Sequence, residues 1–143
     1  MAIQYRYPIG RLSVPRFHHR PLPDYSALLA GSEPSDDAAF VSERLQIWFN
    51  RTDDAWRDPA PHYHTTSDEI FIVLKGAIIV EVDGERIRIE ADELCAFPAG
   101  VVHSVVAVEP PVESLMIRAP SVADKVYLDE DEMRTDDEER DRP

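Results

Sequence analysis

The sequence predicts an all-β protein, an antiparallel barrel or jelly roll, and three observations carry that prediction. The stretch AIIVEV, DG, ERIRIE reads as a hairpin, because Asp83-Gly84 supplies the two residues that a tight two-residue turn needs. Short runs rich in β-branched and aromatic residues recur between Gly, Pro and Asp turns. No segment sustains a long helical period.

Taken in order, residues 1–40 read as a loop-rich N-terminal arm. Within it AIQYRYPI and RLSVPRF are expected as edge strands interrupted by proline. RPLPDYSALLAGSEPSDD is expected to hold a short helix, capped by Asp24 and ended by Gly31. Residues 41–120 form the barrel. ERLQIWFNR alternates loosely, and EIFIVLK is apolar on both faces, which calls for a second covering layer or a subunit contact. The hairpin fixes its own register: Val82 faces Glu85, Glu81 faces Arg86, Val80 faces Ile87, Ile79 faces Arg88 and Ile78 faces Ile89. Ile78, Val80, Ile87 and Ile89 then form its core face. CAF, VVHSVVAV and ESLMIRA supply the later strands, with a break expected at Pro110-Pro111. Residues 121–143 read as an acidic C-terminal tail.

Charge and composition exclude some roles. The net charge is −13, of which −6 falls in the last fifteen residues, DEDEMRTDDEERDRP. That stretch has almost nothing to bury and reads as a solvating segment. The remaining −7 argues against nucleic-acid binding, which needs clustered Lys and Arg. No stretch has the length and apolarity of a membrane span, and MAIQYRYPIG lacks the apolar run of a signal peptide. Together with a single cysteine, Cys95, this leads to the expectation of a cytoplasmic protein. Cys95 is expected as a small core hydrophobe.

The chemistry concentrates in PHYHTTSDEIFIVLKG and DELCAFPAGVVH. His62 and His64 are two apart, so a strand aims both at one face. Glu69 follows across the polar turn TTSD, and His103 comes one short turn after another strand. A lone strand histidine is more often a hydrogen-bonded structural group than a ligand. Three at these offsets, with a carboxylate opening an otherwise apolar strand, resist that explanation, because an unpaired buried carboxylate is costly. Imidazoles with one carboxylate suit one divalent transition metal per chain: Fe, Mn, Ni, Cu or Zn. His18 and His19, in FHHRP, are expected on a surface loop or arm.

These two stretches resemble the paired motifs of the cupin family. His62, His64, Glu69 and Gly76 match the first motif, and Pro98, Gly100 and His103 match the second. Trp56 and Asp92 replace motif glycines and Ala107 replaces an asparagine; all three departures touch turns and strand ends. Asp is among the residues that tolerate a left-handed turn, which makes Asp92 a mild change. The resemblance covers residues 41–120 and implies a double-stranded β-helix with a metal at its four ligand positions. It also implies an N-terminal arm of the kind that, in similar small proteins, crosses to a partner subunit.

Four protein ligands leave about two positions open on an octahedral ion, so the site favours chemistry on a small molecule. The reading is a metal-dependent, dioxygenase-type oxidoreductase acting on an enolic or catechol-like substrate. An isomerase, lyase or decarboxylase, or a non-catalytic binding or sensing module, are the alternatives, since fold resemblance does not choose among them. By strand parity Gln46, Trp48, Phe71, Val73, Val105, Met116 and Arg118 are candidate pocket residues. An inward Arg118 could anchor a substrate carboxylate; an exposed arginine beside Glu113 is the plainer alternative. The doubly apolar EIFIVLK and the proline-rich arm predict a homodimer.

Overall fold

The computed structural model describes residues 17–32 and 40–129. Among these the chain is all-β, as predicted, and its strands join one nine-stranded sheet that curls around a shared core. The strands are β1 (Ala27–Gly31), β2 (Phe40–Val41), β3 (Gln46–Thr52), β4 (Asp58–His64), β5 (Asp68–Val82), β6 (Glu85–Glu90), β7 (Leu94–Phe97), β8 (His103–Ala119) and β9 (Lys125–Tyr127). The path β2-β1-β3-β8-β4-β9 carries one side, and β5 joins it through β8 while pairing with β6 and β7.

The hairpin adopts the predicted register, from Val82↔Glu85 to Ile78↔Ile89. Asp83 and Gly84 take φ of 53° and 75°, the left-handed pair such a turn requires. Glu81 and Arg86, opposite one another, form a 3.0 Å ion pair. Ile78, Val80 and Ile89 enter the core, but Ile87 is 45% exposed. Among the described residues β6 pairs with β5 alone, which leaves Ile87 near the tip of an edge strand.

Three expectations are corrected. ALLAG, expected inside a short helix, is strand β1. Five residues make too few intrahelical bonds to hold a helix, whereas pairing with β3 buries Ala27, Leu28 and Ala30. The expected break at Pro110-Pro111 is a bulge inside one continuous strand. There β5 bends at Gly76: Lys75 pairs with Glu113 and Ala77 with Glu109, so three residues, 110–112, stand opposite one glycine, with both prolines exposed and Val112 in the core. Gly76 has φ +71°, and a Cβ on it would meet the Pro111 and Glu109 carbonyl oxygens at 2.5 and 2.6 Å. Finally, the sheet extends beyond residues 41–120 at both ends, through β1 and β9. The strand expected in AIQYRYPI, most of RLSVPRF, and the tail from residue 130 onward lie outside the described residues.

The core joins Phe71, Val73, Ile78, Val80, Ile89, Phe97, Val105, Val108 and Val112, with Cys95 packed beside it. Burial pushes the Cys95 thiol up to about 11, consistent with its expected role as a small hydrophobe. The opposite face of the same strands is also apolar. Ile47, Ile117, Ile70 and Ala96 form one row across β3, β8, β5 and β7; Phe49, Leu115, Ile72 and Leu94 form the next. Phe49 is sealed, while Leu94 is 63% exposed. Both faces of EIFIVLK are therefore apolar because one packs the core and the other lines this outer grid.

Candidate metal centre

Three strands build the centre. β4 supplies His62 and His64, β5 supplies Glu69, and β8 supplies His103 directly opposite His62. All four side chains are buried, and one ligand atom of each lies within 4.8 Å of the others. The sequence-predicted quartet is thus brought together. His18 and His19 stay exposed and apart from it, as expected.

Hydrogen bonding fixes each imidazole. His62 Nδ1 lies 2.9 Å from the Ala60 carbonyl and His103 Nδ1 2.9 Å from the Val101 carbonyl. A carbonyl can only accept, so both Nδ1 atoms donate. His64 Nδ1 donates to Asp124 Oδ1 at 3.0 Å. With every Nδ1 committed outward, the neutral rings present their Nε2 lone pairs inward. There His103 Nε2 and His64 Nε2 stand 2.8 and 3.1 Å from the same oxygen, Glu69 Oε2. Nitrogen and carboxylate lone pairs at that distance repel unless a cation stands between them. A proton satisfies one such pair; a divalent ion satisfies all four donors, and the chemistry of the set fits one.

Electrostatics agree. Burial lowers the His62 imidazole, and the nearby Lys125 and His103 reinforce this against the Ala60 carbonyl and Glu69, so the ring favours its neutral, ligating form. In the metal-free centre, burial alone would raise the Glu69 carboxyl, but a proton carried by His103 Nε2 and positive charge on His103, His64 and His62 outweigh it and hold Glu69 below the usual carboxylate range, the same demand for a cation that a metal ion meets. Phe97 stacks flat on the His103 ring, with centroids 3.9 Å apart, and fixes its plane.

Sequence reasoning missed Asp124. Its Oδ2 accepts the Thr66 and Ser67 amides at 2.9 and 2.7 Å, its carbonyl accepts the Thr65 amide at 3.2 Å, and its Oδ1 holds His64. One residue thereby ties down the whole TTSD turn between His64 and Glu69. Burial would raise this carboxyl too, but the donors from Ser67, Thr66 and His64 prevail and hold it far below its ordinary value. Asp124 lies in the segment read as a tail, and no local pattern links it to His64. The second motif's turn is fastened in a similar way: the Gly100 amide donates to the His64 carbonyl at 2.8 Å and the Ala99 amide to Asp68 Oδ1 at 3.0 Å. Asp92, where that motif has glycine, takes φ of 68°.

The candidate pocket residues lie at different depths of the barrel. Gln46, Trp48, Met116 and Arg118 share with Phe71 and Val73 the face that carries Glu69. Phe71, Val73 and Val105 belong to the packed core. Arg118 is not paired with Glu113, which bridges Arg51 instead at 3.3 Å.

A barrel with buried His and Glu ligands on three of its strands defines a class, and the comparisons agree with it. Residues 54–117 match the family model described as Cupin domain. Over that stretch, somewhat less than half of its length, the chain is similar to a cupin domain. Among curated proteins, the tetracenomycin polyketide synthase protein TcmJ of Streptomyces glaucescens is 36% identical over 44 residues, 31% of this chain and 30% of that protein. The match thus spans less than a third of that relative. Among solved structures, KdgF from Halomonas sp. matches with a TM-score of 0.54 and 23% identity over 68% of this chain and 79% of its own. The DMSP lyase DddQ from Ruegeria pomeroyi matches at 0.55 and 19%, covering 71% of this chain and 49% of its own. Pac13, a nucleoside dehydratase from Streptomyces, matches at 0.51 and 14%, covering 62% and 71%. At these identities the likeness shows the fold. No helix among the described residues is long and apolar enough to cross a membrane.

Proposed function

We propose that this protein is a metal-dependent enzyme acting on a small organic molecule at the centre formed by His62, His64, Glu69 and His103. The observation that carries the reading is the commitment of all three Nδ1 atoms to fixed acceptors, which leaves four buried donors facing one point. A structural zinc site would be closed and often built with cysteine. No cysteine is among these four, and four protein ligands leave positions free on a six-coordinate ion. An ion held there supplies Lewis acidity or, if redox-active, access to dioxygen.

The chain's own residues do the rest. The carbonyls of Ala60 and Val101, with Asp124, keep the ligand set in one orientation before substrate arrives. Phe97, stacked on His103, and Tyr127, 5.7 Å from His62, shield the centre from bulk water. Trp48 and Met116, on the Glu69 face, offer apolar contact to a substrate.

For the reaction itself, Lewis-acid elimination or isomerisation is the first reading. Proteins of this fold whose names state an activity include a lyase and a dehydratase. Dioxygenase chemistry on an enolic or catechol-like substrate is the second, favoured by the apolar character of Trp48 and Met116. The two separate cleanly. Protein stripped with chelator and reloaded with Zn, Mn, Ni, Cu or Fe(II) is assayed with and without oxygen on enols, catechols and carboxylates bearing a leaving group. Turnover with Zn under nitrogen supports elimination or isomerisation, and oxygen uptake requiring Fe(II) supports the dioxygenase. Absence of turnover with every loaded metal contradicts the enzyme reading and leaves a binding or sensing role.

A further inference from the structure

Arg118 stands in an unusual place for a cation. On β8 it lies directly opposite Glu69 of β5 on one side and Gln46 of β3 on the other. Opposite residues of antiparallel strands share a face, and their Cβ atoms are about 4.5–5.5 Å apart. The same face of β8 carries Ser114, fully buried, and Met116, packed on the core. Gln46, Arg118 and Glu69 therefore form one row across three strands, and the last of them is a member of the metal-centre quartet.

Among the described residues no acid forms an ion pair with the guanidinium in this row. Arg118 Nε is buried without a hydrogen-bond partner. Glu69, the acid opposite it, stands against His64 and His103, and Glu113 of the same strand pairs with Arg51. Arg118 is half-buried, and a buried N–H left without an acceptor costs free energy that an incoming anion would recover. A fork of parallel N–H donors matches a carboxylate, which it binds bidentately.

We infer that Arg118 is the anchor for a substrate carboxylate, which selects small organic acids for the metal centre. This rests on the reading of that centre as a substrate site. The row geometry sets the size of the ligand. With Arg118 and Glu69 on adjacent strands, the carboxylate and the oxygen turned toward the centre are separated by a few bonds, as in 2-oxo or 3-hydroxy acids. Gln46, next in the row, supplies an amide for a further polar group of the same molecule.

The test is calorimetric binding to Zn-loaded protein, with zinc content measured on every sample. The probes are 2-oxobutyrate and 3-hydroxybutyrate, their neutral amides, and inorganic phosphate. The expected result is that the acids bind, the amides bind at least about tenfold more weakly, and Arg118→Gln loses the acids by a similar factor at unchanged zinc content. Arg118→Lys, which keeps the charge without the fork, should recover part of the affinity. The acid-against-amide comparison needs no variant, so the inference stays testable if Arg118→Gln folds poorly. Equal binding of acids and amides, undiminished acid binding by Arg118→Gln, preference for phosphate, or no acid binding at all would each overturn it. Loss of zinc or of turnover with acid binding intact would instead count against the metal-dependent enzyme.

Discussion

Asp124 accepts a hydrogen bond from His64 Nδ1 at 3.0 Å across sixty residues of sequence, while its other carboxylate oxygen holds the amides of Thr66 and Ser67. One carboxylate thus sets both the tautomer of a ligand and the turn that delivers the next ligand, Glu69. Replacing Asp124 by Asn puts an amide N–H₂ where those donors converge. Metal affinity should fall about 10–100-fold, read by chelator competition. Because the folded carboxyl sits below its ordinary value of 3.8, its stabilisation is present above that value and is lost as pH falls through the folded one. In acid titrations of the metal-free proteins, the gap in stability between wild type and Asp124→Asn should therefore be full at neutral pH and shrink below about pH 4. A gap independent of pH would contradict this role.

Gly76 marks the bend at which β5 passes the Pro110-Pro111 bulge, and the carbonyls that a Cβ would strike are backbone atoms with little room to yield. Gly76→Ala should cost more than about 1 kcal/mol, measured by denaturant unfolding. An unchanged midpoint would mean that the bend adjusts freely.

Removing everything after Pro120 deletes both β9 and Asp124, whereas stopping after Asp129 keeps them. The shorter protein should lose metal binding and melt markedly lower. The longer one should match the full chain, since the residues it omits are predominantly acidic with one apolar side chain, Met133. Equal melting of all three would show that β9 contributes nothing.

The ligand quartet was legible because strand parity and motif spacing are local: His62 and His64 two apart, Glu69 after a polar turn, His103 after PAG. The hairpin register was legible for the same reason, a two-residue turn leaving no freedom. Asp124 was not, because its role exists only through contacts sixty residues away and its neighbours resemble a solvated segment. ALLAG misled in the opposite direction: its composition suits a helix, and only pairing with β3 makes it a strand. Between Lys75 and Ala77 the bulge defeated the expectation of a strand break, since prolines are tolerated where a ladder bows outward.

The two outer rows, from Ile47 to Ala96 and from Phe49 to Leu94, are too apolar to face water over four strands. We propose that they pack against a second copy about a two-fold axis, giving a homodimer. Light scattering at micromolar concentration should report twice the 16.3 kDa chain mass. Ile72→Glu with Leu94→Glu should reduce it to the monomer; a monomeric wild type would sink the proposal.

The central claim is that His62, His64, Glu69 and His103 hold one divalent transition metal per chain. Elemental analysis of protein purified without added metal, followed by chelator titration of wild type and His103→Ala, tests it most directly. The account predicts close to one ion per chain in the wild type and a large loss of affinity in the variant. Metal-free wild-type protein that cannot be loaded, or a His103→Ala variant that binds as tightly as its parent, would contradict it.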